Sequence, residues 1–266
     1  MKTTRHVLPR LLAVAFGILV LLVGGFVLWG STPLGPTEAA LTALNSDEAV
    51  EVMDGPWLTF RPTKADTVTG LILYPGGRVD PRSYAPLARA IAARGHLVIV
   101  IPMPLNLAVL APDRADGVMA AYPSVATWAV GGHSLGGAMA ARYADRHEDV
   151  LDGLVLWAAY PASSNDLSNH DLAALSIYAT QDGLMTVQER TDSEALLPAN
   201  TCWVVIDGGN HAQFGDYGAQ RGDNPASISK SEQHAEVVDA TASFLRQLGG
   251  SESPEALICS QIGGAP

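Results

Sequence analysis

The stretch Trp128-Ala129-Val130-Gly131-Gly132-His133-Ser134-Leu135-Gly136-Gly137 places one hydroxyl, Ser134, between glycines two positions to either side. That G-x-S-x-G spacing suits a strand-to-helix turn so tight that only small neighbours permit it, and on such a turn the hydroxyl projects as a nucleophile. The same letters also fit a glycine-rich helix start that cradles an anion. No Lys or Thr follows at phosphate-loop spacing, which disfavours that use. A serine hydroxyl attacks a carbonyl only when a base takes its proton and a carboxylate orients that base.

A base and an acid occur at comparable places. Ser134 follows the apolar run "WAV", Asp182 follows "LSIYA" in "TQDG", and His211 follows "CWVVI" in "DGGNHAQF". Of the seven histidines, His6 lies in a basic flank and His96 opens an apolar run. His147, His170 and His234 lie in polar helical or loop stretches, and His133 fills the variable position before the serine. His211 is therefore the expected base. Asp182 is the expected acid, with Asp207 as competitor; Asp207 lies nearer to His211 along the chain but is suited to bonding its own Gly208-Gly209 turn. An oxyanion formed at the carbonyl needs two N–H donors, each worth roughly 3–4 kcal/mol to the transition state. The expected donors are Leu135 and, from the loop Pro75-Gly76-Gly77-Arg78, Gly77 first and Arg78 next. The same "PGG" also reads as a plain tight turn. With Cys202 and Cys259 alone, no zinc-type cysteine spacing exists, and no metal or cofactor is expected.

These groups need a scaffold that brings strand ends together. The runs "GLILY" (70–74), "LVIVI" (97–101), "WAV" (128–130), "GLVLWA" (153–158), "LSIYA" (175–179) and "CWVVI" (202–206) are continuous rather than alternating, as in strands buried on both faces. Two further strand candidates, Ala49–Met53 and Trp57–Arg61, flank the turn signal Asp54-Gly55-Pro56. In "SYAPLARAIAARG", Tyr84, Leu87, Ala88 and Ile91 share a helical face, with Ser83 as expected N-cap and Gly95 at the end. A last helix is expected around Glu236–Leu248, with Val237, Thr241, Phe244 and Leu248 on one stripe. Alternating strands and helices imply an α/β fold with a doubly wound, mostly parallel sheet, in which reactive groups gather at the carboxyl ends of the strands.

The N-terminal segment differs in composition. Lys2, Arg5 and Arg10 precede an uncharged run from Leu11 to Trp29, which as a helix spans roughly 28 Å, close to the ~30 Å hydrocarbon core of a bilayer. Apolar residues occupy every face, and no small-x-small cleavage site follows Gly30 directly. A transmembrane signal anchor over 1–30 is favoured over a cleaved signal peptide. The basic flank orients the remainder outward, giving a single-pass cell-membrane protein with an extracytoplasmic domain. A linker over 31–47, a catalytic domain over 48–250 and a tail over 251–266 complete the expected organisation. In the oxidising compartment this implies, Cys202 and Cys259 either pair or leave Cys202 as a buried free thiol. A net charge of −11 disfavours nucleic acid as a partner.

From about Trp57 to Leu248 the chain resembles bacterial α/β-hydrolases of the serine esterase type, akin to dienelactone-hydrolase-like proteins. The pieces that carry the likeness are "LYPGGRVDPRSYAPLARAIAARG", "GGHSLGGAMA", "ATQDGL" and "GGNHAQFGDYG", in the chain order Ser…Asp…His. The resemblance implies a triad of Ser134, Asp182 and His211 and a carboxylic-ester hydrolase acting on a small-molecule ester. Two departures, Pro75 in place of the common motif's His and Ser134 where dienelactone hydrolases carry Cys, put that particular substrate in doubt. A lactone hydrolase and a cell-envelope acyltransferase would use the same triad, and a non-catalytic scaffold would more often have lost a member of it. Only about sixteen residues separate "GLVLWA" from "LSIYA", too few for a cap domain. The apolar stretch "PMPLNLAVLAP" (102–112) either lines an acyl pocket or packs as a crossover.

Overall fold

The structure, a computed structural model, describes residues 7–64, 69–250 and 259. Lys2, Arg5 and His6 of the basic flank and the tail around Cys259 lie outside the described residues. In chain order the elements are α1 (Val7–Gly30), α2 (Glu38–Thr42), β1 (Val50–Asp54), β2 (Leu58–Pro62), β3 (Thr69–Tyr74), α3 (Ala85–Ala92), β4 (Leu97–Val100), α4 (Ala115–Ala121), β5 (Thr127–His133), α5 (Leu135–Arg146), β6 (Gly153–Trp157), β7 (Ala173–Ala179), α6 (Val187–Glu194), β8 (Cys202–Ile206) and α7 (Lys230–Gly250).

Eight strands form one sheet in the order β1-β2-β4-β3-β5-β6-β7-β8. At one edge β1 pairs antiparallel with β2 and β2 antiparallel with β4, and the pairs from β4 through β8 are all parallel. The continuous apolar runs have the reason anticipated for them: alternate residues of one strand enter two different cores. Leu71, Leu73, Ala129, Val155 and Leu175 pack against Leu87 and Ile91 of α3 and Val237, Phe244 and Leu248 of α7. Ile72, Val130, Leu154, Leu156 and Ala174 pack on the other face against Val118 of α4 and Met139, Ala140 and Tyr143 of α5. Both faces are thus covered, as a parallel sheet requires.

Local details depart from the sequence expectation where side chains act across a distance. Asp80, not Ser83, caps this region by accepting from the Arg82 N–H of a short 3₁₀ turn (Pro81–Tyr84), and Pro86 falls in the first turn of α3. Helix α7 begins at Lys230, six residues before the apolar stripe suggested, because Gln233 is also buried. Residues 31–47 are not a free linker. Leu34 pairs with Val79 in a parallel bridge, Thr37 caps α2, and Ala40 is fully buried. Cys202, at the start of the edge strand β8, is bonded to Cys259 with Cα atoms 5.2 Å apart, so the disulfide alternative is the one adopted.

Candidate active site

Ser134 joins β5 to α5 with φ 54° and ψ −126°, a conformation L-residues adopt at a cost of about 1–3 kcal/mol. Two bonds hold it there: its N–H donates to Trp157 O at 3.0 Å, and its carbonyl accepts from Ala138 N at 3.1 Å. The flanking glycines are required by backbone proximity. A methyl on Gly132 would sit 2.5 Å from the Gly136 carbonyl carbon, and one on Gly136 would sit 2.1 Å from Tyr74 O. Leu135 opens α5, so its N–H has no intrahelical acceptor.

The acid and the imidazole come from the ends of β7 and β8. Asp182 Oδ2 lies 2.8 Å from His211 Nδ1, and both side chains are almost wholly buried. The other carboxylate oxygen accepts from Leu184 N at 2.7 Å and Met185 N at 2.8 Å, which fixes the carboxylate plane. His211 Nε2 is buried and has no hydrogen-bond partner. Asp207 does not reach the imidazole; it accepts from Thr180 Oγ1 at 3.0 Å, and that hydroxyl takes Gly208 N at 2.8 Å.

Sequence reading missed Asp223, which accepts from Gly183 N at 3.0 Å, His211 N at 3.3 Å and Ala212 N at 2.8 Å. It ties the acid-bearing turn to the histidine-bearing loop, and a lone Asp in "RGDNP" gives no local signal of this. His133 was also undervalued. Its ring is fully buried, with Nδ1 2.8 Å from the Tyr84 hydroxyl, which also accepts from Gly76 N at 2.8 Å. The ring lies 4.6 Å from that of His211 and stacks on Phe214. Burial, and then the neighbouring His211 ring, hold His133 well below the ordinary imidazole range, so it is neutral. Burial pushes the Tyr84 phenol up.

The two loop donors named from sequence separate cleanly. The Arg78 amide donates to Asn106 O at 2.7 Å, so it is unavailable to an oxyanion, and the expectation for Arg78 is corrected. Among the described residues no acceptor takes the Gly77 N–H, and a Cβ built on Gly77 would lie 3.1 Å from Leu135 Cδ2. A cavity of about 250 Å³ is lined by Ser134, Leu135, Ala138, Ala158, Ala159, Tyr160, Ala162, Leu184, Met185 and His211. The stretch 102–112 does not line it. Ala108 packs instead in the core beneath α5.

The described residues thus bring a strained serine, a carboxylate-bound imidazole and the first residue of α5, Leu135, to one small cavity, with Gly77 packed against Leu135. A family model described as "Alpha/beta hydrolase family" matches residues 70–235. No curated protein matches the chain. Many solved structures do, among them a protein described as a "predicted CIB-like hydrolase from Thermoplasma acidophilum". It is 13% identical over 73% of this chain and 97% of that one, with a TM-score of 0.55, a likeness of fold.

Proposed function

The chain belongs to the alpha/beta hydrolase family, and from that premise we propose that it cleaves carboxylic esters of small to medium acyl groups through an acyl-enzyme on Ser134. Ser134 Oγ adds to the ester carbonyl while His211 Nε2 takes its proton. The oxyanion accepts from the Leu135 and Gly77 N–H groups. Collapse expels the alcohol, which receives that proton from His211. Water then adds to the acyl-enzyme with His211 again as base, releasing the acid and restoring Ser134. Asp182 holds the imidazole in the tautomer with Nε2 free and offsets the charge it gains.

One observation carries this reading: His211 is bonded to Asp182 through Nδ1 while its Nε2 lacks a partner in the cavity that Ser134 lines. A fluorophosphonate probe is expected to modify Ser134 alone, and labelling that survives Ser134→Ala would sink the assignment. A membrane-side acyltransferase would share the acyl-enzyme; the apolar helix α1 is the feature that favours it. Product analysis with and without an alcohol acceptor separates the two.

The site of action in this reading is the outer face of a membrane. Helix α1 carries a span, Pro9–Gly30, long and apolar enough to cross a bilayer, and its residues from Pro9 to Trp29 are exposed. The Cys202–Cys259 bond suits an oxidising compartment. Protease added to intact cells is expected to release an active fragment. Complete protection of the domain would refute this topology.

A further inference from the structure

The end of α1 is built into the catalytic edge of the sheet. Strands β3, β4, β5, β7 and β8 are parallel, so the loops after them share one edge, and that edge carries Gly77, Ser134, Asp182 and His211. The loops after β3 and β4 also grip the helix end. Arg78 Nε donates to Trp29 O at 2.9 Å, its guanidinium also reaches Thr32 O, and it lies over the Trp29 ring at 4.5 Å. Asn106 Nδ2 donates to Gly30 O at 2.9 Å, and Gly30 is so close to Leu105 that an added Cβ would lie 2.8 Å from the Leu105 Cβ. Leu34 N then donates to Arg78 O at 2.7 Å and Asp80 N to Leu34 O at 3.0 Å. Arg78, Leu105 and Asn106 all hold positive φ, so the backbone of both loops is shaped around this junction.

From this junction, and resting on the hydrolase and anchor reading above, we propose that the catalytic edge rests on the bilayer surface and that the substrates are esters of membrane-resident amphiphiles. The distances leave little alternative position. Gly30 and Leu34 are four residue steps apart, at most about 14 Å of chain, and both are bonded to loops of this edge, Gly30 to Asn106 and Leu34 to Arg78 and Asp80. The headgroup layer is itself roughly 5–8 Å thick on each side. Trp29, at the junction, is of the type that sits at a membrane–water boundary. Exposed apolar side chains lie on the same edge: Val109 and Leu110 follow Asn106, Leu184 lines the cavity, and Val187 is 75% exposed. Isolated exposed apolar residues need no explanation. Four on the edge from which a membrane helix departs match one occupant, the lipid surface. The protein's net charge of −11 points to a zwitterionic rather than an anionic surface.

The test uses the full chain in phosphatidylcholine vesicles and two aryl butyrates of the same leaving-group chemistry, one water-soluble and one held in the bilayer by a long alkyl chain. A detached variant carries Arg78→Gly and Asn106→Gly, which remove the side-chain bonds to Trp29 and Gly30, and twelve Gly/Ser residues inserted between Ser31 and Thr32, a spacer reaching roughly 20 Å. Detachment is expected to lower the rate on the bilayer-held ester at least tenfold and to change the soluble-ester rate less than twofold. Equal changes on both esters, or none on either, would overturn the proposal. Hydrogen exchange gives a readout that needs no catalysis. Amides of residues 105–110 and 183–188 are expected to exchange more slowly in the native chain than in the detached variant on the same vesicles, and equal rates overturn the docking. A native chain that cleaves neither butyrate counts against the hydrolase reading instead, and exchange then decides the docking alone.

Discussion

The turn after β5 and the loop after β8 carry the two reacting groups of the proposed site, yet they are held by opposite means. Ser134 is fixed by local sterics: a positive φ, and glycines at 132 and 136 whose backbones nearly touch. His211 is fixed by polar contacts from distant segments. Asp182 binds its ring, Asp223 takes its amide, and Gln233 exchanges bonds with both the N–H and the carbonyl of Asn210, at 2.9 and 2.8 Å. The turn should therefore fail when a carbon is added, and the loop when a charge or a hydrogen-bond acceptor is removed.

The largest effects test the reacting groups themselves. Ser134→Ala is expected to remove about 10⁴-fold or more in turnover, and Asp182→Asn about 10⁴-fold, because the imidazole then favours the wrong tautomer. Asp207→Asn should stay within a few-fold of the parent, since Asp207 pairs with Thr180 instead. Kinetics with melting temperatures as a folding control check all three. A larger loss for Asp207→Asn than for Asp182→Asn in folded protein would reverse the assignment.

The steric half is broken by one methyl group. Gly136→Ala sets a Cβ against the backbone of Tyr74 and Pro75, which cannot swing aside as a side chain would. A destabilisation of about 3 kcal/mol or more is expected by equilibrium unfolding. Gly35→Ala, with nothing within 4 Å of the added carbon, should change stability by less than about 0.5 kcal/mol. Similar values for the two would mean the turn is not held by packing.

The polar half is broken more gently. In Asp223→Asn one oxygen is replaced by an NH₂ group facing amides that need an acceptor. Turnover is expected to fall about tenfold with KM little changed, because the variant misplaces His211 and leaves the other residues lining the cavity in place. A loss confined to KM would place Asp223 in substrate binding instead.

The same contrast explains what the sequence made legible. Local constraints leave local marks: the glycines around Ser134, the continuous apolar strands, and the positions of Ser134, Asp182 and His211 after the ends of β5, β7 and β8 were all readable from neighbouring letters. The supports of His211 were not, because Asp223, Gln233 and Tyr84 meet it or its neighbours only after the chain has folded. Arg78 shows the limit within a single loop. Its position suits an oxyanion donor, but Asn106, 28 residues further on, takes its amide. Likewise the apolar letters of 102–112 cannot say which surface they cover, and the fold uses them beneath α5 and at the end of α1 rather than in the cavity.

The smallest effect probes the ring that lies between the two regions. His133 adjoins Ser134 in sequence and packs on His211 in space, and burial keeps it neutral in the native state. In the unfolded chain an imidazole takes up a proton below about pH 6.5. The unfolded state therefore binds more protons than the native one as pH falls through that value, so stability is complete above it and declines below it. Each such histidine contributes a slope of up to about 1.4 kcal/mol per pH unit. His96, which burial lowers to about 4, and the half-buried His234, lowered by desolvation, add to the same trend. Unfolding free energies between pH 7.5 and 5.5, a window above most carboxylate titration, are expected to fall with acid in the parent and to fall less steeply in His133→Gln. Ser134→Ala, which alters the steric region without a titrating group, should keep the parental slope. An unchanged slope in His133→Gln would mean that His133 takes up its proton in the folded protein as readily as in the unfolded one, and the neutral buried ring would then no longer distinguish the histidine loop from the serine turn.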